Sequence, residues 1–378
     1  MVGLAHHECI HENLKPAAPV QQSLQLYEHV AGSASTQPYK GFSYYDPYNQ
    51  LSSNDNTAHS PAEAAPADAA QRSAPIRIVF DTSSLDSDPG LACDSITQSV
   101  RVEGKVRHCN YADLITPQKR ELLEGRLLPE AAARFASLLR VQPVVRNLHV
   151  TTRYCGFDGG VNIPEKYRTE GVPDADIVLF VTMRPIGSAT KGSDTIAYAG
   201  HCETDQHGRP TVAHFNWAPM HLPNYGADAK FEFEYLLSIA MHEITHALVF
   251  SPTLIDYFVG SPGPTTSFVN TPHGGYARAV VTPAVVRSVR HHFNCDTLVG
   301  APLEDGGGAG TGGSHWEMRL FRDEYMTGSA SPGRRAEEAT VMGVGLGTGR
   351  AMHMTGSRRE GRAVCPTVVQ SNYCKLSR

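Results

Sequence analysis

Two stretches of this 378-residue chain place histidines and a glutamate at the spacing H-E-x-x-H. They are His7-Glu8-Cys9-Ile10-His11 and His242-Glu243-Ile244-Thr245-His246. On a helix, residues i and i+4 project from one face, so both imidazoles of such a string can reach one zinc ion. The glutamate then lies at the edge of that face, where it can take a proton from water instead of binding metal. The string alone is weak evidence, because two ordinary histidines on a polar helix face give the same pattern.

The second copy sits in KFEFEYLLSIAMHEITHALVF (230–250). Phe233, Leu236, Leu237, Ala240, Ile244, Ala247 and Leu248 recur there at helical spacing, and Ser251-Pro252 ends the pattern. The first copy has no strong amphipathic helix after it and fails as a catalytic motif. Its distinguishing residue is Cys9.

Other elements must position the second copy. IRIVF (76–80), DIVLFVTMRP (176–185), TIAYAG (195–200) and PTVAHFNWAP (210–219) read as strands. The last three are expected to pair as a sheet beside the 230–250 helix. Residues 116–141 read as a helix with Thr116 as N-cap and Pro117 at its first position, and Pro129 is expected to break or kink it. PAVVRSVRHHF (283–293) is a further helix. DGGGAGTGGS (305–314) is a loop that lets backbone pass close to something. Residues 12–74 lack long apolar patterns, and SSNDNTAHSPAEAAPADAAQRSAP reads as linker or disorder.

Composition narrows the partners. The hydrophobic fraction of 41% is ordinary for a globular protein. With a net charge of −5 and no long basic run, nothing points to nucleic acid or an anionic membrane surface. The eight cysteines, Cys9, Cys93, Cys109, Cys155, Cys202, Cys295, Cys365 and Cys374, include no CxxC pair. Their wide spacing fits disulfides better than a metal knuckle, with buried free thiols as the alternative. No apolar run is long enough for a transmembrane helix, and neither a signal peptide nor a lipid-anchor tail is visible. The expectation is either an intracellular protein or a chain lacking its targeting segments.

A catalytic zinc needs a third protein ligand and an open position. A compact arrangement would put a histidine at position 252, which is Pro252, and residues 255–275 offer no glutamate. The later histidines are His273, His291, His292, His315 and His353. His291 and His292 lie on an expected helix and read as surface residues. His315 follows the glycine loop, and Met326 comes eleven residues later.

CDTLVGAPLEDGGGAGTGGSHWEMRLFRDEYM (295–326) and HEITHALVFS (242–251) resemble leishmanolysin, a zinc metzincin family. The likeness extends through ACDSITQSVRVEGKVRHCNYADLITPQKRELL (92–123) and ADIVLFVTMRP (175–185). It covers residues 75–328, about two thirds of the chain. The resemblance implies one Zn2+ held by His242, His246 and His315, with Glu243 as general base in peptide hydrolysis. It implies Met326 as a Met-turn beneath the metal and disulfides Cys93–Cys109 and Cys155–Cys202. It also implies protein or peptide substrates, host-protein or cell-surface contacts, and a cell-surface or secreted location. HECIHENL resembles the family's pro-segment, where the Cys9 thiolate would occupy the open zinc position as a cysteine switch until the 12–74 linker is cut.

The expected fold is α+β: a metzincin-like catalytic domain with a mixed sheet and active-site helix, and a central helical and loop domain carrying the third ligand. The expected boundaries are a pro-segment-like region at 1–40, a linker at 41–74, the catalytic domain at 75–250, the central domain at 251–328 and a disordered tail at 329–378. Two departures from the family support a rival expectation of a degenerate, weakly active zinc-binding or adhesion protein. Val249 replaces a glycine, so a left-handed turn there would cost about 1–3 kcal/mol unless the helix runs one turn longer. Beyond Gly328 the likeness stops, leaving Cys295 to pair with Cys365 or Cys374 if with anything.

Overall fold

The computed structural model describes residues 73–328, apart from residue 103, 157–159, 188–194, 225–229, 257, 259–262, 271–275, 307–310 and 323. Beyond them, Gly345–Leu346 and Arg350–Ala351 are described as an antiparallel pair. The expectations for Cys9, for residues 1–40 and 41–72, and for the rest of the tail lie outside the described residues. So do His273, His353, Cys365 and Cys374.

The fold is α+β. Its main sheet contains β1 (Ile78–Asp81), β4 (Ile177–Thr182), β5 (Ala197–Thr204) and β6 (Pro210–Trp217), in the order β1-β4-β6-β5. The hairpin of β2 (Ser99–Val102) and β3 (Lys105–His108) precedes the sheet's second strand in sequence. β1 and β6 run parallel to β4, while β5 forms the edge, antiparallel to β6. β4 is a nearly unbroken apolar run because it is buried on both faces. Its alternate residues serve two cores. Ile177, Leu179 and Val181 pack with Ala213, Phe215 and Trp217 on the helix side, while Val178 and Phe180 pack with Val212, Val144 and Leu148 on the other.

α1 (Pro117–Arg120) begins where expected, with Thr116 Oγ1 accepting the Lys119 N–H. Pro129 does not break the helix. A π-helical stretch (Glu121–Leu127) leads into α2 (Leu128–Leu138), with Pro129 in the first turn of α2. The Leu128 N–H donates to the Leu123 carbonyl in the wider π-helical ladder, and the helix runs on across Pro129.

α3 (Lys230–Leu248) carries the second motif and packs against β5 and β6. Leu236, Leu237, Ile244 and Leu248 are buried, each contributing roughly 1.5–3 kcal/mol. After α4 (Pro252–Ile255), strands β7 (Thr266–Asn270), β8 (Tyr276–Val280) and β9 (Ala301–Pro302) form a second antiparallel sheet. α5 (Pro283–Phe293) lies between β8 and β9 in sequence, capped by Thr282 and ended by left-handed Asn294; α6 (Met318–Phe321) follows the glycine loop. One hydrophobic cluster joins Leu237 and Ile244 of α3 to Val280, Val289, Leu303 and Trp316, so the segments before and after residue 250 share a core.

Both disulfides implied by the resemblance are present: Cys93–Cys109 and Cys155–Cys202. Cys295 is buried and disulfide-bonded. No described helix is long and apolar enough to cross a membrane.

Several polar groups inside the sheet pair with one another. Thr182 Oγ1 lies 2.8 Å from His214 Nε2 and donates to Asn216 Oδ1, which also accepts the Arg184 N–H. The Arg184 guanidinium meets both carboxylate oxygens of buried Asp88. Gly156, at φ 111°, passes so close to His214 that a Cβ there would stand 2.3 Å from Nδ1. Burial, with Arg184 nearby, holds the His214 imidazole well below its ordinary value of 6.5. The unfolded chain therefore takes up this proton first as the pH falls, and stability is lost below about pH 6.5. Urea unfolding between pH 7.5 and 5.5 should show a steeper loss for the parent than for His214→Gln, by up to about 1.4 kcal/mol per pH unit. Equal slopes would contradict this assignment.

Candidate metal centre

His242 and His246 lie one turn apart on α3 and are buried, as is His315 after the glycine loop. Their Nε2 atoms form a near-equilateral triangle. The separations are 3.1 Å for His242–His246, 3.2 Å for His246–His315 and 3.3 Å for His242–His315. A tetrahedral zinc with bonds of about 2.0–2.1 Å needs nitrogens roughly 3.3 Å apart.

The other ring nitrogens reveal what those Nε2 atoms carry. His246 Nδ1 lies 2.7 Å from the Phe250 carbonyl oxygen, and His315 Nδ1 lies 3.1 Å from that of Thr311. A carbonyl can only accept, so both Nδ1 atoms bear the proton. In the neutral rings each Nε2 then presents a lone pair. Lone pairs converging in a buried site repel one another unless a cation lies between them. This donor set fits zinc, and a second nitrogen donated to a carbonyl is the usual way ligating histidines are oriented.

Backbone geometry brings His315 to α3. Gly313 adopts φ 77°, which a glycine accepts freely, and turns the chain just before Ser314. The His315 carbonyl accepts the Glu304 N–H at 2.8 Å, and the Trp316 N–H donates to the Met326 carbonyl at 2.9 Å. His315 is therefore held in a short ladder between the chain after β9 and the turn at Met326. The Trp316 ring packs against Phe250 at 4.6 Å and Phe321 at 5.7 Å. Met326 is buried and occupies the left-handed region at φ 66°. Glu243 is fully buried beside His242.

Val249 behaves differently from either expectation. It is not left-handed, and the helix does not run a turn longer. The Val249 and Phe250 N–H groups both donate to the Thr245 carbonyl, and Val249 is buried in the core. Ser251 then caps α4, whose first residue is Pro252. The expected strain does not arise, because Val249 stays out of the left-handed region; the Phe250 carbonyl beyond it meets His246 Nδ1.

Of the other histidines, His291 is exposed and His292 half-buried, with Nδ1 3.7 Å from Glu324 Oε1. A second group, Glu304, Asp305 and Glu317, brings three carboxylates together, with Arg319 paired to Asp305 and Glu317. Thr245 and Tyr325 went unnoticed in the sequence, although their hydroxyls meet at 2.7 Å beside the triad. Their only signal was position: one lies between the helix ligands, the other precedes Met326.

A family model described as Leishmanolysin matches residues 7–342. The chain is 28% identical over 340 residues to leishmanolysin of Leishmania major, covering 88% of this chain and 52% of that protein. It is 31% identical over 260 residues to a leishmanolysin homolog of Crithidia fasciculata, covering 67% and 36%. It is 34% identical over 221 residues to the leishmanolysin-like peptidase of Drosophila melanogaster, covering 49% and 31%. The chain spans about half the length of the Leishmania relatives it matches. The family match reaches past residues 75–328 at both ends, taking in His7–His11 and the first residues after Gly328. Its span includes the helix motif, the glycine loop and the turn at Met326, and the chain belongs to the leishmanolysin family.

Proposed function

We propose that this chain is a zinc-dependent metalloendopeptidase that hydrolyses peptide bonds in proteins. The observation that carries it is the convergence of three Nε2 atoms within 3.3 Å, two of them on rings whose Nδ1 protons go to backbone carbonyls. His242, His246 and His315 would hold the zinc. Zinc supplies Lewis-acid polarisation of the scissile carbonyl and acidifies water. Glu243 accepts a proton from the attacking water and passes it to the leaving amine. Its position next to His242 on α3, and its complete burial, support that role. Met326 packs beneath the site as an apolar floor.

Cys9 holds the enzyme latent in this proposal. Support comes from the family match, which begins at residue 7 and so includes the His-Glu-Cys-Ile-His run. A thiolate there would take the open metal position, and removing the segment would free it. The substrates are proteins or peptides. The two disulfides support a cell-surface or secreted setting, since such bonds persist in oxidising compartments.

Metal analysis of the purified chain should give one zinc per molecule, lost in His315→Ala. Glu243→Gln should keep the zinc and reduce casein hydrolysis by at least about 100-fold. Zinc-loaded Glu243→Gln cleaving as fast as the parent would contradict the general-base role. For the switch, Cys9→Ala in the full chain should hydrolyse casein without prior proteolysis, at the rate the parent reaches only after cleavage in the 12–74 region. Equal latency of parent and variant would remove Cys9 from the account.

A further inference from the structure

Thr245 stands between the two helix ligands and is buried, 4% exposed. Its Oγ1 lies 2.7 Å from the hydroxyl of Tyr325, itself 8% exposed. Tyr325 precedes Met326, whose carbonyl accepts the N–H of Trp316, the residue after His315. A path of hydrogen bonds and single peptide links thus runs from His246 through Thr245, Tyr325, Met326 and Trp316 to His315. No metal is needed to complete it. The Tyr325 ring also stands edge-on to His242, with centroids 6.1 Å apart.

This path answers a physical need. The His246 and His315 Nε2 lone pairs face one another across 3.2 Å and repel when no cation lies between them, so other contacts must keep the His315 segment against α3. Met326 adds to the demand, because a left-handed backbone at a residue other than glycine persists only when its surroundings enforce it. The Tyr325 hydroxyl grips that turn on one side, and the Trp316 N–H grips it on the other. The ladder bond from Glu304 to His315, by contrast, joins two parts of the same later segment and does not reach the helix.

We infer that Thr245 and Tyr325 are positioning residues whose shared hydroxyl bond holds the third ligand in register with the active-site helix before zinc arrives. The inference rests on the zinc proposal above. The pair does not touch substrate and takes no part in proton transfer. Its effect is to lower the ordering cost of metal binding, so its loss weakens zinc affinity.

The test measures zinc dissociation constants by competition with a chromophoric chelator, using the full chain. The variants are Tyr325→Phe, Thr245→Val, Thr245→Ser, the Tyr325→Phe/Thr245→Val double variant and His246→Ala. Each of the two hydroxyl deletions should weaken zinc binding about tenfold. Thr245→Ser should stay close to the parent, and the double variant should be no weaker than the worse single one. Cobalt-loaded Tyr325→Phe should show an altered visible spectrum, reporting a distorted ligand set. Parent-like zinc affinity in both single variants, or losses that multiply in the double variant, would overturn the pairing. Stoichiometric zinc retained by His246→Ala would overturn the zinc proposal itself, and this inference with it, whatever the hydroxyl variants do.

Discussion

Three imidazole Nε2 atoms converging in a buried space form the constraint on which the rest of this structure depends. Each Nε2 lies within 3.3 Å of the other two. Repulsion among them must be offset by a cation when it is bound and resisted by the fold when it is not. The local architecture is a set of devices for that purpose. The Phe250 and Thr311 carbonyls fix the tautomer of two of the rings, and the buried face of α3 fixes the helix that carries two of the imidazoles.

The sheet matters because it sets where α3 lies. β4 and β6 are buried on both faces, and one face supplies the apolar surface on which the helix rests. The later segment then shares that same core instead of forming one of its own, with Trp316 wedged against Phe250 just after the helix ends. His315, nearly seventy positions downstream of His246, is held in place because packing and backbone ladder act together there. Gly313, at positive φ, lets the chain turn just before His315.

How much of this was legible in the sequence differs by mechanism. His242, Glu243 and His246 were readable because helical periodicity converts spacing directly into a shared face. The strands of the main sheet were readable from β-branched runs, and the Thr116 cap from its proline neighbour. His315 was not derivable from spacing, since no regular element links it to the helix; only the resemblance singled it out. The two disulfides likewise came from resemblance, because cysteine spacing leaves connectivity open. Pro129 does not break its helix, because a π-helical stretch leads into the turn that holds it. Val249 misled because the carbonyl of the next residue, and not a left-handed turn, organises the helix end. The Thr245–Tyr325 contact spans eighty positions and leaves no periodic trace, so only the folded chain reveals it.

The central claim is that these three imidazoles share one zinc ion, and X-ray absorption at the zinc edge tests it most directly. After removal of the Cys9 segment, the zinc-loaded protein should show three imidazole nitrogens and a lighter oxygen contribution at about 2.0–2.1 Å, with no sulfur. His315→Ala, which loses its zinc on purification, should show one imidazole fewer when reloaded in excess zinc. A spectrum with fewer than three imidazoles in the parent, or one unchanged by His315→Ala, would contradict the account.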